Sequence, residues 1–205
     1  MTASKKRYYK KLLTAFLIII IEAVIIIFLR LYLKSITDKN NKIINETVMT
    51  DNYIREDIKY FPIPIKYQNE VTFEDSFGAY RSNGTHEGCD IMDIKNVPGR
   101  IPVISSTSGI VTNIGWLYLG GYRIGITSDN GIYYYYAHLA SYAAGLKAGD
   151  EVRAGQLIGF MGNTGEGEEG TMGKFPVHLH FGIYVNISGD KEQAVNSYPY
   201  LYNLK

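Results

Sequence analysis

Hydrophobic and polar positions divide the chain into an N-terminal part with one long apolar run and a C-terminal part with many short ones. Residues 12–29 are mostly apolar, with Glu22 as the only charged residue, and apolar positions resume at 31–33. At 1.5 Å per residue, a helix of this length covers the roughly 30 Å hydrocarbon core of a bilayer. A core helix of a soluble protein would show a polar face, and a cleaved signal peptide has a shorter apolar stretch and a small-residue cleavage site. The run therefore predicts an uncleaved transmembrane signal anchor over residues 12–33.

The charges around this run predict its orientation. Cations crowd the preceding tail, residues 1–11, without any acid, whereas the segment that follows mixes cations with acids. The positive-inside rule then puts the tail in the cytoplasm and everything after the anchor outside the cell. Glu22 is costly inside a membrane, so it either pairs with a protein partner in the bilayer or is tolerated alone. We expect a single-pass protein of the cell membrane with an extracytoplasmic domain.

The segment after the anchor is polar, and its apolar positions are loosely spaced. Residues 35–60 contain neither glycine nor proline, which favours a helical or partly ordered stalk. The sequence Phe61-Pro62-Ile63-Pro64 breaks any helix and marks a boundary. We therefore predict a stalk or linker over residues 34–64, which is also a possible site for a protein partner, and a globular domain over residues 65–205.

The globular part is patterned as short strands separated by turns. No amphipathic helix of 10–15 residues alternates with the apolar runs, so a parallel α/β sheet is not expected. Asp129-Asn130-Gly131 between two of the runs is a hairpin signal. The fold class predicted is mainly β, an antiparallel sheet preceded by one transmembrane helix and a stalk. The predicted strands lie within Pro102–Ser105, Gly109–Ile114, Tyr122–Ile126, Ile132–Ala137, Gln156–Met161 and Val177–Val185.

Composition narrows the possible chemistry. The formal net charge is +1, so nothing in the charge balance calls for nucleic acid as a partner. Cys89 is the only cysteine, which excludes a disulfide within the chain and a zinc site built from several cysteines. On an extended segment Cys89 would face away from its neighbours His86 and Asp90, as a buried small side chain.

Four histidines remain as candidates for a metal or catalytic site. Side chains alternate along a strand, so His178 and His180 point to one face, and His86, Gly88 and Asp90 share a face if their segment is extended. Catalytic zinc takes three protein ligands and leaves a fourth position for water. His86, Asp90 and one histidine of the pair supply such a set, with Gly88 leaving space for an ion. The other two histidines would serve as proton shuttle and oxyanion stabiliser.

Each of these features has an ordinary structural interpretation when it stands alone, but together they leave no histidine for an unrelated role. The chain resembles the lysostaphin/LytM-type zinc endopeptidases of bacterial cell walls over roughly residues 70–185. The matching motifs are His86-x-Gly88-x-Asp90, Tyr136-Ala137-His138-Leu139 and His178-Leu179-His180-Phe181, with further similar stretches at 108–111, 147–152, 154–159 and 162–165.

The resemblance implies a role for each matching residue. His86, Asp90 and His180 would bind one zinc ion per chain, and His138 and His178 would be the catalytic pair. The implied reaction is hydrolysis of an amide bond in a peptidoglycan stem peptide or cross-bridge, in a groove floored by an antiparallel sheet. The alternative is a non-hydrolytic or weakly active assembly protein of the same fold, in a sporulation channel or at division.

Several residues near these motifs are candidates for the walls of the groove. Tyr80 and Arg81 lie just upstream of His86, and ordinary packing is an equal alternative for both. Tyr136 lies two residues before His138, so on a regular strand it would share the face of that histidine and contact substrate. The acidic connector Gly165–Pro176 is either a solvated loop or a groove wall that biases the choice of substrate.

Overall fold

The computed structural model describes residues 2–81, 84–186 and 192–205. Along the chain, helix α1 (Ala3–Asp57) comes before a series of β-strands and helix α2 (Tyr198–Tyr202) follows them, with a 3-10 helix at Ile65–Glu70 before the first strand. The strands are β1 (Val71–Phe73), β2 (Tyr80–Arg81), β3 (Gly84–Thr85), β4 (Cys89–Asp93), β5 (Pro102–Ile104), β6 (Gly109–Leu117), β7 (Gly121–Thr127), β8 (Tyr133–Tyr142), β9 (Glu151–Val152), β10 (Leu157–Met161), β11 (His178–Asn186) and β12 (Glu192–Val195).

The main sheet is antiparallel, which confirms the predicted fold class. Its strand order is β1-β4-β11-β8-β7-β6-β9; β10 pairs with β5 and β8, and β12 pairs with β11. One face carries the core, in which Tyr134, Leu179 and Phe181 are fully buried. The centre of the sheet, β4-β11-β8, carries every residue of the predicted metal and catalytic set except His86, which lies three residues before β4.

The N-terminal unit, residues 1–48, consists in its described part of helix α1. The absence of glycine and proline before residue 62 is consistent with an unbroken helix. Within the described chain, α1 is the one helix long and apolar enough to cross a membrane, and no part of its apolar stretch is buried. That test rests on length and composition, which a signal sequence also satisfies.

The second compact unit begins at Met49, within the segment predicted as a stalk. Ile54, Ile58, Phe61 and Ile63 are all buried in the core of the β domain. Asp57 accepts hydrogen bonds from Asn130 Nδ2 at 2.8 Å, from the Tyr134 hydroxyl at 3.1 Å and from the Ser128 hydroxyl. The apolar side chains of residues 49–64 therefore pack into the core of the β domain. A free linker would leave them exposed.

Candidate metal centre and active site

The centre of the site is formed by two neighbouring strands. His180 on β11 lies directly opposite Asp90 on β4, and His86 precedes β4 by three residues. His180 Nδ1 is 2.9 Å from Asp90 Oδ1, His86 Nε2 is 3.0 Å from the same oxygen, and the two imidazole nitrogens are 2.9 Å apart. These are the three residues of the described chain whose ligand atoms converge closely enough to hold a metal ion.

The donor set fits zinc. In a tetrahedral site with bonds of about 2.0–2.1 Å, neighbouring ligand atoms lie about 3.3 Å apart, slightly further than the spacing here. His86 Nδ1 donates a hydrogen bond to the Ser76 carbonyl at 3.0 Å, which leaves a lone pair on Nε2 of the neutral ring. Two imidazole nitrogens and a carboxylate oxygen that converge in a mostly buried site need a proton or a metal cation between them, and the set is one that zinc takes.

Arg81 holds the other oxygen of Asp90. Its NH2 group lies 2.8 Å from Asp90 Oδ2, so Oδ1 alone faces the two histidines. Burial opposes ionisation of Asp90, but hydrogen bonds with His180 and His86 outweigh burial and hold the pKa of this carboxyl well below its usual range. Asp90 therefore stays anionic at neutral pH, as a metal ligand must. Arg81 is predicted only as a candidate for the groove, with ordinary packing as an equal alternative, and its contact with Asp90, nine residues away, carries no sequence signal.

Gly88 makes room for a side chain rather than directly for an ion. A Cβ atom at this position would lie 2.7 Å from Nε2 and Cε1 of His180 and 2.7 Å from the Phe181 carbonyl oxygen. The space predicted for the ion is therefore filled by the His180 ring, which is pressed against the backbone of residue 88.

His138 and His178 form a second pair beside the first cluster. Their ring centroids are 4.6 Å apart, and that of His138 is 6.1 Å from that of His180. His138 Nδ1 donates to the Thr164 carbonyl and His178 Nδ1 to the Pro176 carbonyl, both at 2.8 Å. Each ring therefore keeps Nε2 free to accept or deliver a proton. Burial lowers the pKa of His138 to about 3 and also lowers that of His178, so both rings are neutral at pH 7.

A bulge in β8 directs His138 into the site. Between Tyr136 and Leu139 this strand advances three residues while β7 advances two, from Ile124 back to Tyr122. His138 adopts a left-handed conformation with φ +60°, and its N–H donates to the Gly120 carbonyl at 2.8 Å. Bulges of this kind re-aim side chains next to active sites.

The same bulge makes the prediction for Tyr136 wrong. Strict alternation would put Tyr136 on the face of His138, but Tyr136 is fully buried on the opposite face, where its hydroxyl accepts the Ser106 N–H at 2.8 Å. Tyr135 takes the predicted place, because it lies 5.9 Å from the His180 ring in the groove. Tyr80 is 88% exposed, and it is not among the residues that line the groove.

Two further residues complete the surroundings. Phe175 packs against His138 and His178, with its ring centroid 4.6 Å from that of His138 and 5.1 Å from that of His178. No sequence signal pointed to Phe175, because it lies in the irregular connector. Cys89, the first residue of β4, is fully buried, and burial raises the pKa of its thiol to about 12, so the thiol stays protonated and inaccessible at neutral pH.

The cluster lies in an open groove of about 610 Å³. His86, His138 and His180 line its floor, Arg81 and Glu87 lie on the side of β4, and Glu166 of the connector lies on the other. The connector is thus partly a groove wall and partly a solvated loop, since Glu168 and Glu169 are exposed.

This fold and this site define a class of metallopeptidase. A family model described as Peptidase family M23 matches residues 84–197, which is more than half of the chain, and the chain belongs to that family. Members of this family are zinc metallopeptidases.

Individual relatives agree with the family assignment. The L-Ala–D-Glu endopeptidase of Bacillus subtilis (strain 168) is 42% identical over 143 residues, which are 69% of this chain and 42% of that protein. The crystal structure of a LytM from Ruminococcus gnavus is similar with 51% identity and a TM-score of 0.66, covering 73% of this chain and 62% of that one. The catalytic domain of lysostaphin from Staphylococcus simulans matches with 30% identity and a TM-score of 0.51, over 68% of this chain and 98% of that one. The chain thus spans less than half the length of the Bacillus protein.

Proposed function

We propose that this protein is a membrane-anchored zinc endopeptidase that hydrolyses amide bonds in peptidoglycan stem peptides or cross-bridges. The observation that carries the proposal is the convergence of His86, Asp90 and His180 beside a pair of neutral histidines at the floor of an open groove. The names of the relatives, an L-Ala–D-Glu endopeptidase and lysostaphin, support an amide bond as the target.

In this proposal His86, Asp90 and His180 hold the metal. The distances favour His180 over His178 as the third ligand, since His178 Nε2 lies 3.8 Å from Asp90 Oδ1 and His180 Nδ1 lies 2.9 Å from it. Bound zinc would supply Lewis-acid polarisation of the scissile carbonyl and of a water molecule.

The chain's own residues carry the proton and orient the substrate. His138 and His178 are fixed through Nδ1, so their Nε2 atoms are presented to the groove at fixed positions. One of them accepts the proton of the attacking water at Nε2. The other stabilises the developing oxyanion by a hydrogen bond from Nε2, which it donates once it has taken up a proton there, because its Nδ1–H is already bonded to a carbonyl. Phe175 packs on both rings and limits their freedom to reorient.

The anchor is part of the same proposal. Residues 12–33 of α1 would span the membrane with the tail 1–11 in the cytoplasm, so that the domain reaches peptidoglycan on the outer side. A partner that binds the transmembrane helix through Glu22 is compatible with this arrangement.

The test is incubation of the full chain, in detergent micelles, with purified peptidoglycan of several chemotypes. We expect new amine termini that disappear with a zinc chelator and with Asp90→Ala. A well-folded, zinc-loaded protein that releases no amines from any chemotype would favour the non-hydrolytic assembly role instead.

A further inference from the structure

Three tyrosines line the surface next to the metal centre: Tyr135 and Tyr184 line the groove itself, and Tyr133 lines the recess beside it. Tyr133 and Tyr135 of β8 and Tyr184 of β11 lie on the face that carries His180, since Gly182 is opposite Tyr135 and Tyr184 is opposite Tyr133. The ring centroids of the three tyrosines are 6.0–6.3 Å from one another. We call this set the tyrosine floor. It links the groove around the histidines to a second recess of about 510 Å³.

Glycines leave room for the rings of Tyr133 and Tyr135, whose planes differ by 30°, whereas the Tyr184 ring stands at 88° to that of Tyr135. A Cβ at Gly120 would lie 2.2 Å from the Tyr135 hydroxyl, and one at Gly125 would lie 2.0 Å from the Tyr133 hydroxyl. Any larger residue at these positions would push the rings off the sheet. The floor is therefore a built, half-buried aromatic surface in which Tyr135 and Tyr184 meet edge to face.

Negative charge borders one edge of the floor. Glu87 lines the groove next to Tyr184, and Glu192 lines the second recess. Both side chains are exposed, and neither forms an ion pair with any other residue that the structure describes. Of the nearby cations, Arg81 is held by Asp90, and Arg123 of β7 lies close enough to Tyr133 and Tyr135 to act on both. The acidic edge of the floor is therefore the one at Tyr184, on which both glutamates act.

We propose that the tyrosine floor and the carboxylates of Glu87 and Glu192 form a subsite for a primary ammonium group of the peptide substrate. Aromatic faces bordered by carboxylates suit an alkylammonium, because cation–π attraction and ion pairing act together. A carboxylate in the same place would be repelled by both glutamates. This proposal rests on the proposed function, which supplies a peptide as the ligand.

Distance limits which residue of the substrate carries the ammonium. The Tyr135 ring lies 5.9 Å from the His180 ring, and the next rings lie about 6 Å further along. An extended peptide spans about 3.3–3.6 Å per residue. The ammonium therefore belongs to a residue about two to four positions from the scissile bond, which is within the reach of the diamino acid of a stem peptide.

The experiment compares muropeptides whose only primary amine is on the diamino acid, with that amine free or acetylated. Binding is measured by calorimetry to the full chain in detergent as the His138→Ala variant, and cleavage is measured with the unmodified chain. Acetylation removes the charge, so we expect it to raise Kd and lower kcat/KM about tenfold.

Variants assign the effect to the floor. The ratio of Kd for the acetylated muropeptide to Kd for the free amine is called the acetylation factor. In Glu87→Gln/Glu192→Gln this factor should fall to about one. The control Glu168→Gln/Glu169→Gln removes two exposed carboxylates outside the groove lining and should keep the factor. Tyr184→Phe should keep the factor and Tyr184→Leu should reduce it.

The outcomes separate this inference from the proposed function. Equal binding of the two muropeptides, or binding of neither, overturns the ammonium subsite even if both are cut. Preferential binding of the free amine without any cleavage supports the subsite and argues against hydrolysis.

Discussion

Substitution of Gly88 by alanine should disable the metal centre through His180. The added methyl would lie 2.7 Å from two ring atoms of His180 and 2.7 Å from the Phe181 carbonyl oxygen. An ordinary contact needs about 3.4 Å, so the ring or strand β11 must retreat by roughly 0.7 Å. Metal–ligand distances tolerate only about 0.2 Å. No positive φ is involved at Gly88, so the strain arises from lack of space alone.

The expected cost is a loss of zinc affinity of about 10–100-fold, comparable to the loss of an outer-shell contact. Overpacking should also lower the free energy of unfolding by about 1–3 kcal/mol. Zinc affinity is measured by competition with a fluorescent chelator, and stability by thermal unfolding of the same sample.

Gly167→Ala provides the matched control. A methyl at Gly167 would crowd only the side chain of Thr171, at 2.5 Å from Oγ1, in the connector outside the metal cluster. Zinc affinity should be unchanged in this variant. If Gly88→Ala bound zinc as tightly as the control does, the packing of His180 on residue 88 would not fix its position, and the reasoning would fail.

The remaining predictions concern the core and the charges around the site. Ile54→Ala should lower the free energy of unfolding by about 2–5 kcal/mol, measured in denaturant, because Ile54 is fully buried, whereas the exposed Val48→Ala should change it by less than about 0.5 kcal/mol. Burial opposes ionisation of Asp93, but Arg100 and two backbone N–H groups hold its pKa below the usual range. The stabilisation by ionised Asp93 is therefore present above the pKa of the unfolded chain and is lost as pH falls. The difference in free energy of unfolding between the unmodified chain and Asp93→Asn should shrink on acidification below about pH 4. A difference that did not change with pH would contradict this. Arg81→Ala should weaken zinc binding about tenfold in the chelator assay, and Arg81→Lys should restore part of it; equal affinities would remove Arg81 from the support of Asp90.

Sequence patterns predict those parts of the site in which the backbone is regular. The alternation of His178, Leu179 and His180 holds in the structure because β11 is an unbroken strand paired on both sides. Asp90 and Cys89 divide between the two faces of β4 for the same reason. The short apolar runs separated by turns were likewise enough to predict an antiparallel sheet.

Alternation fails where a bulge intervenes. The left-handed residue in β8 is a histidine, which carries no sequence signal for φ +60°, so the faces of Tyr135 and Tyr136 were exchanged. The N-terminal edge of the core was missed for a different reason. Ile54 and Ile58 are spaced for one helical face, but polar residues around them gave the segment the composition of a stalk.

The measurement that most directly tests the account compares zinc content and amine release from peptidoglycan for His180→Ala and His178→Ala in the full chain. We predict that His180→Ala loses both zinc and activity. His178→Ala should keep about one zinc per chain and lose only activity, since its Nε2 is 3.8 Å from Asp90 Oδ1. Full zinc occupancy in His180→Ala, or retained hydrolysis in His178→Ala, would contradict the division of the histidines into ligands and catalytic groups.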